Sequence, residues 1–439
     1  MPRYPVSPAD VHRTLGRHLL TSGHSFVLDL ERSHGPFLVD GKSGDEYLDF
    51  SSFYASNPLG YAAPALMEPE FRERLLRAAT LKVANPDFYT TYFAEFVETL
   101  SHTAAPVTHP HYFFVEGGSL AVENAMKVAF DWKTRRNLAG GHGELGSQIL
   151  HFEQAFHGRS GYSLSVTNTD PTKTLHFPKF PWPRLPSPAM RFPQDEAAQS
   201  EVQELERLTL AKAERAFDMH GADIAAILIE PIQGEGGDNH FRPEFLRALR
   251  RLADERGALL IFDEVQTGVG LTGSWWAHEQ LGATPDVICF AKKLQLGGIF
   301  VSSRVDDVDS VFKVPSRISS TWGGSLADMV RATRILETIE ADGLLLNARE
   351  RGKELRLGLE DLSRTFPALV RNVRGLGLMC ALDLPSPEQR ASLLKQTLAE
   401  RLLVLPCGTH SVRFRPFLNV RSEHVQELLT RLTRALAKA

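Results

Sequence analysis

Cysteine is scarce in this chain of 439 residues and shows no pattern. Cys289, Cys380 and Cys407 are far apart, have none of the short spacings of metal ligands, and sit in or beside apolar segments. That excludes a disulfide framework and a zinc cluster, and it fits small core residues in a reducing compartment. Neither sign of charge dominates: 49 basic residues against 53 acidic ones leave a net charge of -4, so no basic field is available for nucleic acid. No apolar run approaches the roughly 18 residues that a membrane helix needs, and Met1 to Phe26 lacks the apolar core of a signal peptide. The expectation is a cytoplasmic protein that contacts neither membrane nor nucleic acid. No internal repeat or low-complexity tract is evident. With 43% hydrophobic residues the chain can bury a large core, and its length suggests two or three domains.

Ser7, Pro8 and Asp10 read as the start of a helix that carries Val11, Leu15, Leu19 and Leu20 at helical spacing. Two extended runs, Phe37 to Asp40 and Glu46 to Phe50, flank a turn-rich segment and predict a β-hairpin. From Tyr112 to Lys293 the pattern becomes strand, loop, helix, strand. The runs Tyr112 to Val115, Ile149 to Phe152, Ala225 to Ile229, Leu259 to Phe262 and Val287 to Phe290 are apolar without alternation, as strands buried on both faces should be. They predict an α/β fold with a mostly parallel sheet. Seven prolines and four aromatics between Asp170 and Asp195 read as a long packed loop near a site. After about Ser325 come helices, the strand-like Gly377 to Leu382, and a closing helix from Glu423 to Ala437. The expected organisation is a segment 1–60 that joins a small domain, a large α/β domain 61–324, and a small α+β domain 325–439.

The chemistry concentrates at the ends of the apolar strands. Asp263 closes a strand with no other charge, and Lys292 follows the next one. A buried aspartate needs a cationic partner, and a protonated pyridine nitrogen is one. A lysine with a desolvated amine can attack an aldehyde and move protons. Together they are what a pyridoxal-phosphate enzyme requires. Taken singly, Asp263 could instead cap a helix, and Lys292 and Lys293 could be a solvated pair. Glu264 falls on the opposite face of an extended segment and receives no catalytic part. Gly117, Gly118 and Ser119 lead a strand into a helix, where backbone N–H groups can hold a phosphate or merely turn the chain. Phe156 can lie against a planar ring and Arg159 can clasp a carboxylate. Arg413 and Arg415 share one face if extended, which suits a dianion, although a salt-bridged surface pair is the ordinary reading. Glu235, in a glycine-rich loop, could neutralise an arginine. A P-loop ATPase would also place acids after an apolar strand, but Gly35 to Ser43 fails the phosphate-loop spacing and context.

Four motifs in chain order, Phe113 to Gly118, Ala155 to Tyr162, Glu230 to Asp238 and Phe262 to Gly268, resemble those of class III, fold-type I pyridoxal-phosphate aminotransferases. The resemblance runs from near residue 10 to the C-terminus and is strongest to members that use the ε-amino group of L-lysine. It implies pyridoxal 5′-phosphate as cofactor and no metal. Lys292 matches the lysine that carries the cofactor, Asp263 the partner of its pyridine nitrogen, and Gln266 the residue near its phenolic oxygen and the substrate. Gly118 and Ser119 match the phosphate loop, and Phe156 the aromatic on the ring. Thr321 matches a residue that reaches the phosphate in the neighbouring subunit, which implies a homodimer with shared active sites. For substrate, Arg159 resembles the distal carboxylate binder, Arg413 the α-carboxylate binder, and Glu235 the gate that covers Arg413.

The implied reaction is ping-pong. L-Lysine yields 2-aminoadipate 6-semialdehyde, which cyclises to piperideine-6-carboxylate, and 2-oxoglutarate leaves as L-glutamate. Leu271 agrees with the lysine-specific pattern, whereas Ser119, Ser319 and Tyr54 stand where alanine, asparagine and valine would match it. The alternatives within the class are 4-aminobutyrate and ornithine donors, and outside it a non-catalytic relative that keeps the fold.

Overall fold

The apolar runs of the sequence form the middle of a seven-stranded sheet in the computed structural model, which describes residues 3–439; Met1 and Pro2 lie outside the described residues. In chain order the strands are β1 (His111–Val115), β2 (Gln148–Phe152), β3 (Arg184–Leu185), β4 (Ile224–Ile229), β5 (Leu259–Asp263), β6 (Val287–Phe290) and β7 (Gly297–Val301). Their spatial order is β1-β7-β6-β5-β4-β2-β3. Only β7 runs against its neighbours, β6 and β1; the remaining pairs are parallel. Every residue of β4 is buried. Ala226 and Leu228 pack towards the helix Gly118–Ala139, while Ile227 and Ile229 face Phe217, Phe245 and Leu249 of the helices Glu196–His220 and Pro243–Glu255. Two covered faces explain why these strands lack polar alternation.

The hairpin forms as expected, with Phe37 opposite Leu48 in antiparallel register. Its second strand also pairs in parallel with Leu402–Leu403, far along the chain. Beyond Ser325 lie the helices Leu326–Ala341, Leu344–Thr365, Pro387–Ala399 and Ser422–Leu436. A four-stranded antiparallel sheet there places Ser411–Phe414 between Met379–Asp383 and Leu405–Cys407.

Two local features differ from expectation. The first helix is a 3-10 turn, Pro8–Asp10, followed by only Val11–Leu15. The Ser7 hydroxyl donates to the Asp10 carboxylate rather than capping a backbone N–H, and Leu19 and Leu20 stand exposed with no core to join. Ser52, Phe53, Tyr54 and Ala55 all have positive φ, from 40° to 64°, which makes a left-handed turn without glycine. Such a conformation costs about 1–2 kcal/mol per residue. Buried Asp49 secures its entry by accepting from the Ser51 and Ser52 backbone N–H groups and the Ser51 hydroxyl.

Candidate active site

The carboxyl ends of β2, β4, β5 and β6 open into one cleft of about 560 Å³, where open parallel sheets bind ligands. Asp263 ends β5 with only 5% of its surface exposed. Its Oδ1 accepts from the Val265 backbone N–H at 3.0 Å, and its Oδ2 accepts from His157 Nδ1 at 2.8 Å. With Nδ1 committed to the carboxylate, the opposite ring nitrogen of His157, Nε2, is buried without a protein partner. Glu230 closes β4 next door and accepts from the backbone N–H groups of Phe156 (2.9 Å) and Gly234 (3.0 Å). Burial, with Asp263 adding to it, pushes the Glu230 carboxyl up to about 7.

Lys292 follows β6 at φ 48° and lines the cleft. Burial first and the Arg413 guanidinium second push its amine down to about 8, against the pull of Asp263. Lys293 does not enter the cleft. It is buried, and its Nζ donates to the Gln266 carbonyl at 2.8 Å, so it is structural rather than solvated. Glu264 is likewise structural: its carboxylate accepts from Thr267 and from the backbone N–H groups of Ala277 and His278.

At the other wall, Gly117 turns with φ 89° into the N-terminus of the helix Gly118–Ala139. A Cβ on Gly118 would meet Val265 Cγ1 at 2.9 Å. The Ser119 hydroxyl lies 2.6 Å from Ser160 Oγ and 2.7 Å from Ser163 Oγ, and the Glu123 carboxylate accepts from Ser160 at 3.0 Å. Phe156 and Arg159 both line the cleft, the guanidinium 5.8 Å from the ring centre.

Arg413 and Arg415 are nearly inaccessible, and both donate to Gln266 Oε1, at 3.2 and 3.0 Å. Their other partners differ. Arg415 pairs with fully buried Asp238 and is structural. Arg413 Nη2 donates to Glu235 Oε2 at 2.7 Å, while Arg413 Nε is buried without a partner. The other Glu235 oxygen accepts from Lys173 Nζ at 2.6 Å. Burial raises the Glu235 carboxyl, but Arg413 and Lys173 outweigh it and hold the group below its ordinary value.

Nine of the ten residues singled out in the sequence therefore gather in or beside this cleft: Gly118, Ser119, Phe156, Arg159, Glu235, Asp263, Gln266, Lys292 and Arg413. Thr321 does not. It is exposed on a loop whose neighbouring carbonyls, of Trp322 and Gly324, accept from the Asn85 side chain. Sequence reasoning missed Lys173 and gave no role to Glu230 or to the pairing of His157 with Asp263. Glu230 carried the signal that identified Asp263, an acid closing an all-apolar strand.

The donor set fits a phosphorylated pyridine aldehyde. A buried carboxylate, braced by a histidine, suits a ring N–H. A buried lysine whose amine is pushed down to about 8 suits an aldehyde, and the glycine cradle with its hydroxyls at a helix N-terminus suits a phosphate. Among the described residues, no cluster of His, Cys, Asp and Glu is arranged to hold a metal ion, and no helix is long and apolar enough to cross a membrane.

Comparison with known proteins matches residues 20–436 to the aminotransferase class-III family model. L-Lysine-epsilon aminotransferase of Mycobacterium tuberculosis is 52% identical over 98% of this chain and 96% of its own length. The protein of that name from Amycolatopsis lactamdurans is 50% identical over 99% and 98%. The solved structure of lysine aminotransferase from M. tuberculosis in the internal aldimine form superposes with a TM-score of 0.96, at 51% identity, covering 98% of this chain and 99% of that one.

Proposed function

The chain belongs to the class-III aminotransferases, and on that premise we propose that it transfers the ε-amino group of L-lysine to 2-oxoglutarate, yielding 2-aminoadipate 6-semialdehyde and L-glutamate. The relatives named for lysine support the donor. The observation that carries the reading is the Glu235–Arg413 pair beside the cleft. A guanidinium covered by a carboxylate accepts a donor whose reacting end bears no acid; uncovered, it accepts a dicarboxylate.

The cofactor is pyridoxal 5′-phosphate. Asp263, braced by His157, would hold its ring nitrogen; Gly118 and Ser119, with Thr321 of the partner subunit, its phosphate; Phe156 its ring face; Gln266 its phenolic oxygen; and Lys292 its aldehyde carbon. When bound, it supplies an electron sink for the carbon that bears the transferred nitrogen. The protein does the rest. Arg159 takes the carboxylate of lysine, which fixes the ε-carbon near Lys292 Nζ. Lys292, with an amine near 8, removes a proton from that carbon and later returns one to C2 of the acceptor. In the second half-reaction Arg413 binds the acceptor's α-carboxylate, Arg159 its distal carboxylate, and Glu235 stands aside.

The same proposal includes a cytoplasmic homodimer and a division into a cofactor-binding domain 61–324 and a small domain built from 1–60 and 325–439. Three buried free thiols support a reducing compartment. Exposed Phe88, Tyr89 and Trp322 near Asn85 support a partner at the Thr321 loop. Pairing of the hairpin with Leu402–Leu403 supports the small domain. The test is initial rates of glutamate formation from 2-oxoglutarate with L-lysine, L-ornithine and 4-aminobutyrate. Lysine is expected to be preferred. Preference for either other amine would move the donor, and no glutamate from any of them would refute the activity.

A further inference from the structure

Glu235 divides its two oxygens between two cations on different parts of the chain. Oε2 accepts from Arg413 at 2.7 Å, and Oε1 from Lys173 at 2.6 Å. Lys173 closes the 3-10 turn Pro171–Lys173, which Asp170 caps by accepting from the Thr172 N–H. Its side chain is 17% exposed and that of Glu235 is 28% exposed, so neither charge is fully solvated. Lys173 Nζ also lies 5.4 Å from the centre of the Phe156 ring, which lines the cleft. A short capped turn therefore presents an ammonium group at the rim of the site, opposite Arg413.

An incoming carboxylate on Arg413 would put two anions on one guanidinium, so Glu235 has to leave it. A half-buried carboxylate released without a partner is costly. We propose that Lys173 is a positioning residue for the acceptor half-reaction: it keeps Glu235 ion-paired when an acidic substrate takes Arg413, and so lowers the cost of uncovering the acceptor site. The inference rests on Arg413 as the acceptor's carboxylate binder and deepens that reading. Lys173 touches no substrate, and the lysine half-reaction, in which Glu235 stays on Arg413, does not depend on it.

The test measures glutarate, an unreactive five-carbon dicarboxylate, binding to the holoenzyme by calorimetry, together with steady-state constants for both substrates. For a pair of this partial burial, Lys173→Met should weaken glutarate and raise KM for 2-oxoglutarate about tenfold. The rate of the half-reaction with L-lysine should change little, and Lys173→Arg should restore acceptor binding. In a Glu235→Gln background the Lys173→Met effect should vanish, because no displaced charge remains to receive. Unchanged or tighter glutarate binding in Lys173→Met overturns the proposal. So does a loss that persists in the Glu235→Gln background, since Lys173 would then act on the ligand directly. Arg413→Ala is the control for the underlying reading: if it leaves glutarate binding intact, the acceptor-site assignment has failed, and the role of Lys173 falls with it.

Discussion

Replacing Lys292 by methionine should make the cofactor-free protein more stable at neutral pH. The amine is pushed from an ordinary 10.5 to about 8, chiefly by burial. Between those values the folded chain binds fewer protons than the unfolded chain, so stability is lost as pH falls through the window and the penalty is constant below it. At pH 7 the penalty is about 3 kcal/mol, and at pH 10 it is under about 1 kcal/mol. Methionine has a similar length and no charge to desolvate. Urea unfolding followed by tryptophan fluorescence should therefore place Lys292→Met about 3 kcal/mol above the parent protein at pH 7, with the gap closing towards pH 10. A variant no more stable than its parent at pH 7, or a gap that does not narrow with rising pH, would refute the reasoning. A stability gain on losing the central lysine is the cost that a site pays for a reactive group.

Other outcomes follow from the same geometry. Asp263→Asn removes the charge that His157 braces, and turnover with lysine should fall at least about a hundredfold in a protein that keeps its circular dichroism spectrum. Arg159→Leu should raise KM for both L-lysine and 2-oxoglutarate, since both present a carboxylate at that end; an effect on only one would show that the two substrates bind in different registers. Gly118→Ala would press a methyl group against Val265 and should weaken cofactor retention on dialysis by about tenfold or more. Mixing inactive Lys292→Ala with inactive Thr321→Ala chains should recover activity if sites are shared between protomers, and equilibrated mixtures that stay inactive would count against it.

Much of the large sheet was legible because its strands are buried on both faces, so that Ile224–Ile229 and Leu259–Asp263 read as unbroken apolar runs ended by an acid. β7 was not legible. It opens with Gly297 and Gly298, which lack side chains to mark a strand, yet a Cβ on Gly298 would meet Phe290 at 2.5 Å and the Phe113 carbonyl at 2.6 Å. There glycine marks close packing between strands rather than a turn. Lys292, Asp263 and the phosphate loop were found because each follows a strand. Lys173 was not, since its value depends on Glu235, 62 residues away, and no local pattern announces a pairing of that span. The left-handed turn at Ser52–Ala55 was equally hidden: four non-glycine residues carry no sign of positive φ.

The parallel pairing of the hairpin with Leu402–Leu403 sets a timetable for synthesis. The Leu48 N–H donates to the Arg401 carbonyl, the Phe50 N–H to the Leu403 carbonyl, and the Arg415 N–H to the Phe50 carbonyl. Those partners are about 350 residues apart, so at translation speeds of about 5–20 residues per second the hairpin waits roughly 20–70 s on the ribosome for its neighbour. During that interval the edge of Glu46–Asp49 is unpaired, and Arg413 has not yet been made. The nascent chain thus completes its binding site late, with its earliest strands secured only once Leu402–Leu403 has been made.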